Sequence, residues 1–161
     1  MALLSGRRAD WISASELTRL THRLRRSDAT DVALLTRRRA VVHRMSGWTN
    51  RGDIGGYLVA SGVSALRRGE TAARFELGSA GAIVADGYVL TADFASLTAE
   101  FGLVDNADEG DIIVRTVTIP DAFAAGDTPI AAVAADLMDS LDTRERSAGT
   151  RVLQQLLDEF R

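Results

Sequence analysis

The stretch IIVRTVTI at residues 112–119 decides the fold, because it is the strongest strand signal in the chain. Its residues are mostly β-branched, and β-branched side chains favour an extended backbone. The acidic segment at 105–111, which precedes it, is typical of a turn, and GYVL at 87–90 predicts another strand. We therefore expect a small sheet at the centre of the molecule.

Two helices are predicted after this strand. Thr128-Pro129 has the pattern of an N-cap followed by proline at the first helical position, and an Ala-rich run continues to Ser140. Asp142 and Glu145 have the spacing of a capping box, which predicts the start of a last helix of about five turns. Its apolar stripe is formed by Ala148, Val152, Leu153, Leu156, Leu157 and Phe160.

Upstream of the sheet, the pattern is mainly helical. Ser13 and Glu16 have capping-box spacing, and the helix after them carries Leu17, Leu20 and Leu24 at helical intervals. Asp28 or Thr30 can cap a shorter second helix. Residues 41–42 fit either the end of a helix or a strand.

Short elements alternate in the middle of the chain. Residues 57–60 predict a strand and 63–68 a short helix. Phe75 and Leu77 alternate around a glutamate, which predicts an edge strand. Asp93 can cap a further helix, which carries Phe94, Leu97 and Phe101.

These elements predict an α+β fold in which helices cover a small mixed or antiparallel sheet. The turn-rich segment SGWTNRGDIGG at 46–56 is typical of a loop or a domain boundary. We therefore divide the chain into an Arg-rich helical N-terminal segment at 1–55, which is a partial winged helix or an arm, and an α+β domain at 56–161 that ends in the two helices.

The composition excludes several classes of function. The 161 residues include no cysteine, which excludes disulfide frameworks, thiolate nucleophiles and Cys-based zinc sites. With two histidines, His22 and His43, we expect no metal site. No apolar run approaches the roughly 18–20 residues of a membrane span, and the chain does not begin with a signal-peptide pattern. We expect a cytoplasmic protein that uses no cofactor and contacts no membrane.

The charges are separated along the chain. Residues 1–74 carry fourteen arginines against six carboxylates (14 − 6 = +8), whereas residues 75–161 carry five against sixteen (5 − 16 = −11). Folding does not require this separation, because mixed signs would solvate a domain equally well. The separation predicts two binding surfaces, one for a polyanion and one for a basic partner.

Two arginine clusters are the main candidate contacts. Guanidinium groups bind phosphate in a bidentate manner. The clusters therefore predict a nucleic-acid surface formed by Arg23, Arg25, Arg26, Arg37, Arg38 and Arg39. The alternatives are contact with a protein, a solvated surface, and pairing of these arginines with the acidic half of the chain.

Catalytic motifs are not found in the sequence. Residues 105–110 lack ligands that a calcium loop requires, and no phosphate-binding glycine pattern is present. A nucleotidyltransferase site is also missing, since Tyr88 stands where its second carboxylate is required. We predict a protein that is not an enzyme and has no catalytic residues. A small hydrolase that uses His43 or His22 with a serine is the least favoured alternative.

The second half of the chain resembles a known family. Three segments, GYVLTADFASLTAEFGLV at 87–104, GDIIVRTV at 110–117 and PIAAVAADLMDSLDTRERSAGTRVLQQLL at 129–157, are similar in order and type to the C-terminal domain of AbiEi-type antitoxins. The most specific piece is the helix–turn–helix junction at 135–146. The resemblance covers about residues 56–161.

The resemblance implies a function. Such antitoxins are partners of nucleotidyltransferase toxins in type IV toxin–antitoxin systems and are often described as transcriptional regulators. This implies a chain that binds and neutralises such a toxin and represses its own operon. We place the partner contacts at the junction, at Asp136, Asp139, Asp142, Arg144 and Arg146. Family members carry a full N-terminal winged helix, for which residues 1–55 are short. The chain is then a truncated relative, one whose N-terminal arm binds a toxin, or one that binds operator DNA as a homodimer. A free-standing DNA-binding regulator is the alternative.

Overall fold

The computed structural model describes residues 1–48, 52–78, 83–118 and 126–161. The α-helices are α1 (Ala14–Leu24), α2 (Ala29–Thr36), α3 (Gly62–Ala65), α4 (Gly69–Phe75), α5 (Phe94–Phe101), α6 (Ile130–Met138) and α7 (Thr143–Phe160). The strands are β1 (Val41–Ser46), β2 (Val59–Ala60), β3 (Ala85–Leu90), β4 (Val104–Asp105) and β5 (Ile112–Val117). Short 3-10 helices occupy Leu3–Ser5 and Ile54–Tyr57.

The five strands form one mixed sheet in the order β2-β3-β5-β1-β4. β3 and β5 are parallel, whereas the other neighbouring pairs are antiparallel. β5 is central, and its Val114 pairs with Gly87 of β3 on one side and with His43 of β1 on the other. The predicted α+β class is confirmed. The strand predicted at 112–119 is confirmed as β5, and its expected end at Ile119 lies outside the described residues.

Capping residues define where three of the helices begin. Ser13 and Glu16 form the predicted capping box at the start of α1. Asp28 and Asp31 form a second capping box at the start of α2. Asp142 caps α7 by accepting hydrogen bonds from two amides of its first turn. Local side-chain chemistry therefore fixes these helix starts.

Two hydrophobic cores lie on opposite sides of the sheet. The first lies between the sheet and α5, and its buried residues are Met45, Ile54, Leu58, Ala85, Leu97, Phe101, Leu103, Ile112 and Val114. The second lies among the helices α2, α3, α4, α6 and α7 and contains no strand residue among its buried members. Residues that alternate with the first set on β3 and β5 contact α6 instead, as the two-residue repeat of a strand requires.

The Arg-rich N-terminal segment contributes to both the sheet and the helical core. β1 lies between β5 and β4 in the sheet. Leu4, Leu24, Ala29 and Val32 are buried in the helical core. The domain boundary predicted at residue 55 therefore does not separate two hydrophobic cores.

The two C-terminal helices pack closely against each other. A Cβ atom at Gly149 of α7 would lie 2.5 Å from the carbonyl oxygen of Ala134 on α6. Only glycine permits this approach of the two backbones. The apolar stripe predicted for α7 is confirmed, since Ala148, Val152, Leu153, Leu156 and Leu157 are buried and Phe160 packs at their margin.

Two predicted elements are corrected by the structure. Phe75 and Leu77 do not form an edge strand, because Phe75 is the last residue of α4 and is 1% exposed in the helical core. Glu76 ends this helix with a φ of 55°. At the start of α6, Pro129 is the N-cap and no side chain caps the helix, so Thr128 does not have the predicted role.

The middle of the chain shows smaller differences. Of the strand predicted at 57–60, only Val59–Ala60 pairs in the sheet, because Tyr57 ends a 3-10 helix. The helix predicted at 63–68 corresponds to the single turn of α3. Within the described residues, no helix is long and apolar enough to cross a bilayer.

Candidate functional site

A layer of charged and polar side chains lies between the sheet and α6. At its centre is Asp136 of α6, which is 2% exposed. Its carboxylate accepts hydrogen bonds from the Tyr88 hydroxyl at 3.0 Å and from Nε of Arg39 at 3.1 Å. It also accepts one from the Ser61 hydroxyl and pairs with Nε of Arg115 at 3.1 Å. We call this set, which also includes Asp86, the ionic layer: Arg39, Ser61, Asp86, Tyr88, Arg115 and Asp136.

Adjacent parallel strands hold two members of the ionic layer side by side. Asp86 lies on β3 and Arg115 on β5, and their side chains, each 4% exposed, form an ion pair. Arg115 therefore bridges Asp86 and Asp136. With Arg39, the layer contains two positive and two negative charges, and this balance is what permits charges to be buried.

Burial and neighbouring charges shift the pKa values in the ionic layer. Burial raises the pKa of the Tyr88 hydroxyl, and the negative charge of Asp136 raises it further. Burial alone would lower the pKa of Arg39, but Asp136, Tyr88 and Asp139 together outweigh burial, and the pKa lies above its ordinary value. Burial lowers the pKa of Arg115 against the opposing effect of Asp136. Because a guanidinium group keeps its proton in proteins, both arginines are charged at neutral pH.

A glycine makes room for the carboxylate of Asp86. Gly62, the first residue of α3, has a φ of 45°, and a Cβ atom there would overlap that carboxylate. The backbone of Asp86 also binds α3, since its carbonyl accepts from the Ser61 amide at 2.9 Å and its amide donates to Oγ of Ser64 at 2.8 Å. α3 is therefore fixed against β3 beside the ionic layer.

The six arginines that we predicted to contact nucleic acid have different environments. Five are exposed and lie at the end of α1 or directly after α2: Arg23, Arg25, Arg26, Arg37 and Arg38. Within the described residues, none of these five has a carboxylate at ion-pair distance. We call them the arginine surface. Arg39 instead binds Asp136 and Asp139, and with a side chain only 14% exposed it is not available to a phosphate in this conformation.

Other arginines of the first half do pair with the acidic half. Arg7 binds Asp127 at 2.6 Å, and Arg74 lies 3.6 Å from Glu159. Intramolecular pairing, which was one of the alternatives for the basic clusters, therefore accounts for Arg39 and for these two arginines. It does not account for the arginine surface.

The five residues predicted to contact a partner protein also divide into different environments. Asp136 is buried in the ionic layer and cannot reach another protein. Asp139 pairs with an arginine of that layer, but half of its side chain remains exposed. Asp142 is the N-cap of α7, and Arg146 donates to two carbonyls of the α6–α7 turn. Arg144 is exposed.

A cleft of about 280 Å³ opens beside the ionic layer. One side is formed by Val42 and Arg44 of β1 and by Ile113 of β5. The opposite side is the α6–α7 turn, from Asp139 to Asp142, together with Glu145. The cleft is therefore bounded by a part of the sheet that α6 leaves uncovered.

The two histidines have structural or exposed positions. The His43 ring stacks on Phe94 with a centroid distance of 4.3 Å, and its Nε2 lies 3.4 Å from the Thr116 hydroxyl. His22 is exposed on α1. In the part of the chain that the structure describes, no three His, Asp or Glu side chains are grouped closely enough to hold a metal ion. Nothing in these residues favours the hydrolase hypothesis.

Sequence reasoning did not identify Asp86, Tyr88 and Arg115 as members of one site. A signal was present, because Arg115 is a single charge in an apolar strand and Asp136 a single charge in an Ala-rich helix. Charges at buried positions require buried partners. The identity of the partners is not a local property, since Tyr88 and Asp136 are separated by 48 residues.

No protein-family model, no curated protein and no solved structure matches this chain.

Proposed function

We propose that the protein is a non-enzymatic antitoxin that binds and neutralises a nucleotidyltransferase-type toxin and represses its own operon. The observation that carries this proposal is the division of its charged groups. Those in the ionic layer pair with one another, whereas the arginine surface has no carboxylate partner among the described residues, and Asp139, Asp142 and Arg144 at the α6–α7 turn are exposed.

The ionic layer favours a binding protein over an enzyme. A carboxylate has about four lone-pair sites for hydrogen bonds. Asp136 accepts hydrogen bonds from Arg39, Ser61 and Tyr88 and forms an ion pair with Arg115. Its carboxylate is therefore engaged by four neighbouring side chains, and its side chain has no exposed surface. The layer therefore joins the sheet to α6, and we assign it a structural role.

The acidic side of the molecule fits the proposed partner. Enzymes that bind nucleic acids use basic surfaces to neutralise phosphates. The exposed carboxylates of the α6–α7 turn, Asp139 and Asp142, have the complementary charge. Complementary charges accelerate the encounter of two proteins and suppress wrong partners.

The proposal is tested by purifying the tagged chain from its native host, with nuclease treatment, and identifying bound proteins by mass spectrometry. We expect a nucleotidyltransferase-type protein in the complex, with an association rate that falls as salt rises. A complex without such a protein, in a host with no toxin-type gene beside this one, would contradict the proposal.

Direct binding of operator DNA is a second candidate, which the arginine surface favours. α1 and α2 are joined by residues 25–28, a connection as short as that of helix–turn–helix motifs. The five arginines at the ends of these helices have no carboxylate partner among the described residues. Exposed guanidinium groups of this kind bind the phosphate backbone.

The salt dependence of DNA binding separates this candidate from the first. Each phosphate contact contributes about 0.9 to the slope of log K against log salt, so Arg37→Ala with Arg38→Ala should reduce the slope by about 1.8. Arg68→Ala, which removes an exposed arginine at the start of α4, is the matched control. An unchanged slope in the double variant would exclude these two arginines as phosphate contacts.

A further inference from the structure

The cleft beside the ionic layer has an uncovered apolar side. α6 covers β3 and β5 through the ionic layer, but the same face of β1 is not covered there. Val42 of β1 is 52% exposed, and the neighbouring Ile113 is partly exposed. Aliphatic side chains that project from an open sheet face offer contacts to an extended chain.

The opposite side of the cleft is a turn held in one conformation. Ser140 Oγ accepts from the Asp142 amide at 3.0 Å, and Arg146 donates to the carbonyls of Ser140 and Leu141 at 2.9 Å and 2.8 Å. The Glu145 carboxylate accepts from the Ser140 hydroxyl, in place of the capping-box role predicted for it. This rigid turn holds Leu141 at 77% exposure. Because the backbone of the turn is already fixed, little backbone entropy is lost when a partner contacts Leu141.

The charged residues around the cleft indicate the charge that a partner should carry there. Among the carboxylates around it, Asp86 and Asp136 are balanced by Arg39 and Arg115 in the ionic layer. The remaining charges of the lining residues are the carboxylates of Asp139, Asp142 and Glu145 against the guanidinium of Arg44, a net of −3 + 1 = −2, and the Arg146 guanidinium on the turn reduces this to −2 + 1 = −1. A cationic group is therefore favoured at this position.

We propose that this cleft binds an extended segment of a partner protein that carries one arginine or lysine between aliphatic side chains. The aliphatic groups contact Val42 and Leu141, and the cation reaches Asp142 and Glu145. The volume of about 280 Å³ is at or below the low end of the roughly 300–1,000 Å³ typical of small-molecule pockets, and fits one long side chain. The inference names a contact surface for the partner proposed above and to that extent rests on the proposed function.

The test uses a short synthetic peptide with one arginine between two valines, and a matched peptide in which glutamate replaces the arginine. Amide resonances of the ¹⁵N-labelled full chain are followed during titration. We expect the arginine peptide to shift amides of β1 and of the α6–α7 turn, and the glutamate peptide to shift neither. Leu141→Ser should weaken the peptide Kd by about tenfold, because it removes most of a buried leucine contact.

A second variant removes charge without changing the fold. Asp142→Asn retains the N-cap of α7, since asparagine caps helices as well as aspartate does, and should weaken the Kd by about threefold. Leu34→Ser, which removes a leucine that is 63% exposed on α2, is the matched control and should leave the Kd unchanged.

Several outcomes overturn the inference. These are equal binding of the glutamate peptide, an unchanged Kd in both variants, amide shifts confined to other surfaces, and no binding. Concentration-dependent shifts of the same amides without peptide would show that a second copy of this chain occupies the cleft. The proposed function is tested separately. Purification from the native host shows whether a toxin-type partner exists, whereas the titration shows whether the cleft binds the arginine peptide.

Discussion

On β3 and β5, both faces of the sheet are buried, but they are held by different interactions. Toward α5, the strands present Ile112 and Val114, both 0% exposed, to an apolar core. Toward α6, the same strands present Asp86 and Arg115, each 4% exposed in its side chain, to the ionic layer. Burial alone therefore does not determine which residues occupy the two faces.

The difference concerns how each face positions its helix. Apolar contacts are non-directional. The stabilisation on the α5 face therefore depends on the apolar area that is buried there, and little on the orientation of the helix. Ion pairs and hydrogen bonds to Asp136 require fixed directions and distances. Because desolvation offsets much of the attraction between buried ions, we infer that the ionic layer contributes mainly to the unique placement of α6. Four predictions test this comparison.

The largest effect is expected when the centre of the ionic layer is removed. Asp136→Ala leaves the buried guanidinium of Arg115 without one of its two carboxylates and removes the acceptor of Tyr88. We expect a loss of about 3–5 kcal/mol in the free energy of unfolding. Urea denaturation measures it, because urea does not screen charge. Asp139→Asn, on a side chain that is half exposed, is the control and should cost less than about 1 kcal/mol. Equal values for the two variants would contradict the central role of Asp136.

A second prediction concerns the space reserved for Asp86. Gly62→Ala places a Cβ atom against a carboxylate that cannot move freely, because it is paired with Arg115. The positive φ at this residue adds backbone strain. We expect a loss of about 2–4 kcal/mol in urea denaturation. Gly69→Ala, at the start of α4 with no atom within 4 Å of the new Cβ, is the control. A tolerated Gly62→Ala would show that the ionic layer adapts its geometry.

The elements on both faces were predictable from sequence where the signal was local. The capping box of α1, the apolar stripe of α7 and the β-branched run of β5 each depend on residues within one element. Phe75 and Leu77 show the limit of such reasoning. Two alternating residues are a weak strand signal, and contact of Phe75 with the helical core decided its conformation.

The ionic layer was not predictable in the same way. Arg39 and Asp136 are separated by 97 residues, so no window of sequence contains both. In the sequence, Arg37, Arg38 and Arg39 form one basic run, and only the direction of each side chain in the turn between α2 and β1 separates the third from the others. The same limit applies to Asp136, which the sequence placed on a partner surface.

A third prediction uses the raised pKa of Tyr88. Its pKa in the folded protein lies above the ordinary value of 10.0, so the folded state holds the phenolic proton more tightly than the unfolded state. The resulting stabilisation is complete below about pH 10 and is lost as the pH rises above it. Tyr88→Phe should cost about 1–2 kcal/mol at neutral pH and should flatten the alkaline decline of stability. Urea denaturation across alkaline pH measures both effects. Tyr57 is the exposed comparison, and because its hydrogen bond to Glu100 also raises its pKa, Tyr57→Phe should flatten the decline, but less than Tyr88→Phe does. An unchanged decline in Tyr88→Phe would show that Tyr88 does not cause it.

The smallest effect on stability is expected at Arg38, which lies next to the ionic layer in the sequence but outside it in the structure. Arg38 is exposed and has no ion pair among the described residues, whereas the next residue, Arg39, binds both Asp136 and Asp139. We expect Arg38→Ala to change the free energy of unfolding by less than about 0.5 kcal/mol. Arg39→Ala, measured in parallel by urea denaturation, should cost about 3 kcal/mol because it leaves Asp136 with an unbalanced buried charge. Equal costs for these adjacent arginines would mean that the ionic layer extends to the surface of the molecule. Buried ion pairs would then not distinguish the α6 face of the sheet from the α5 face.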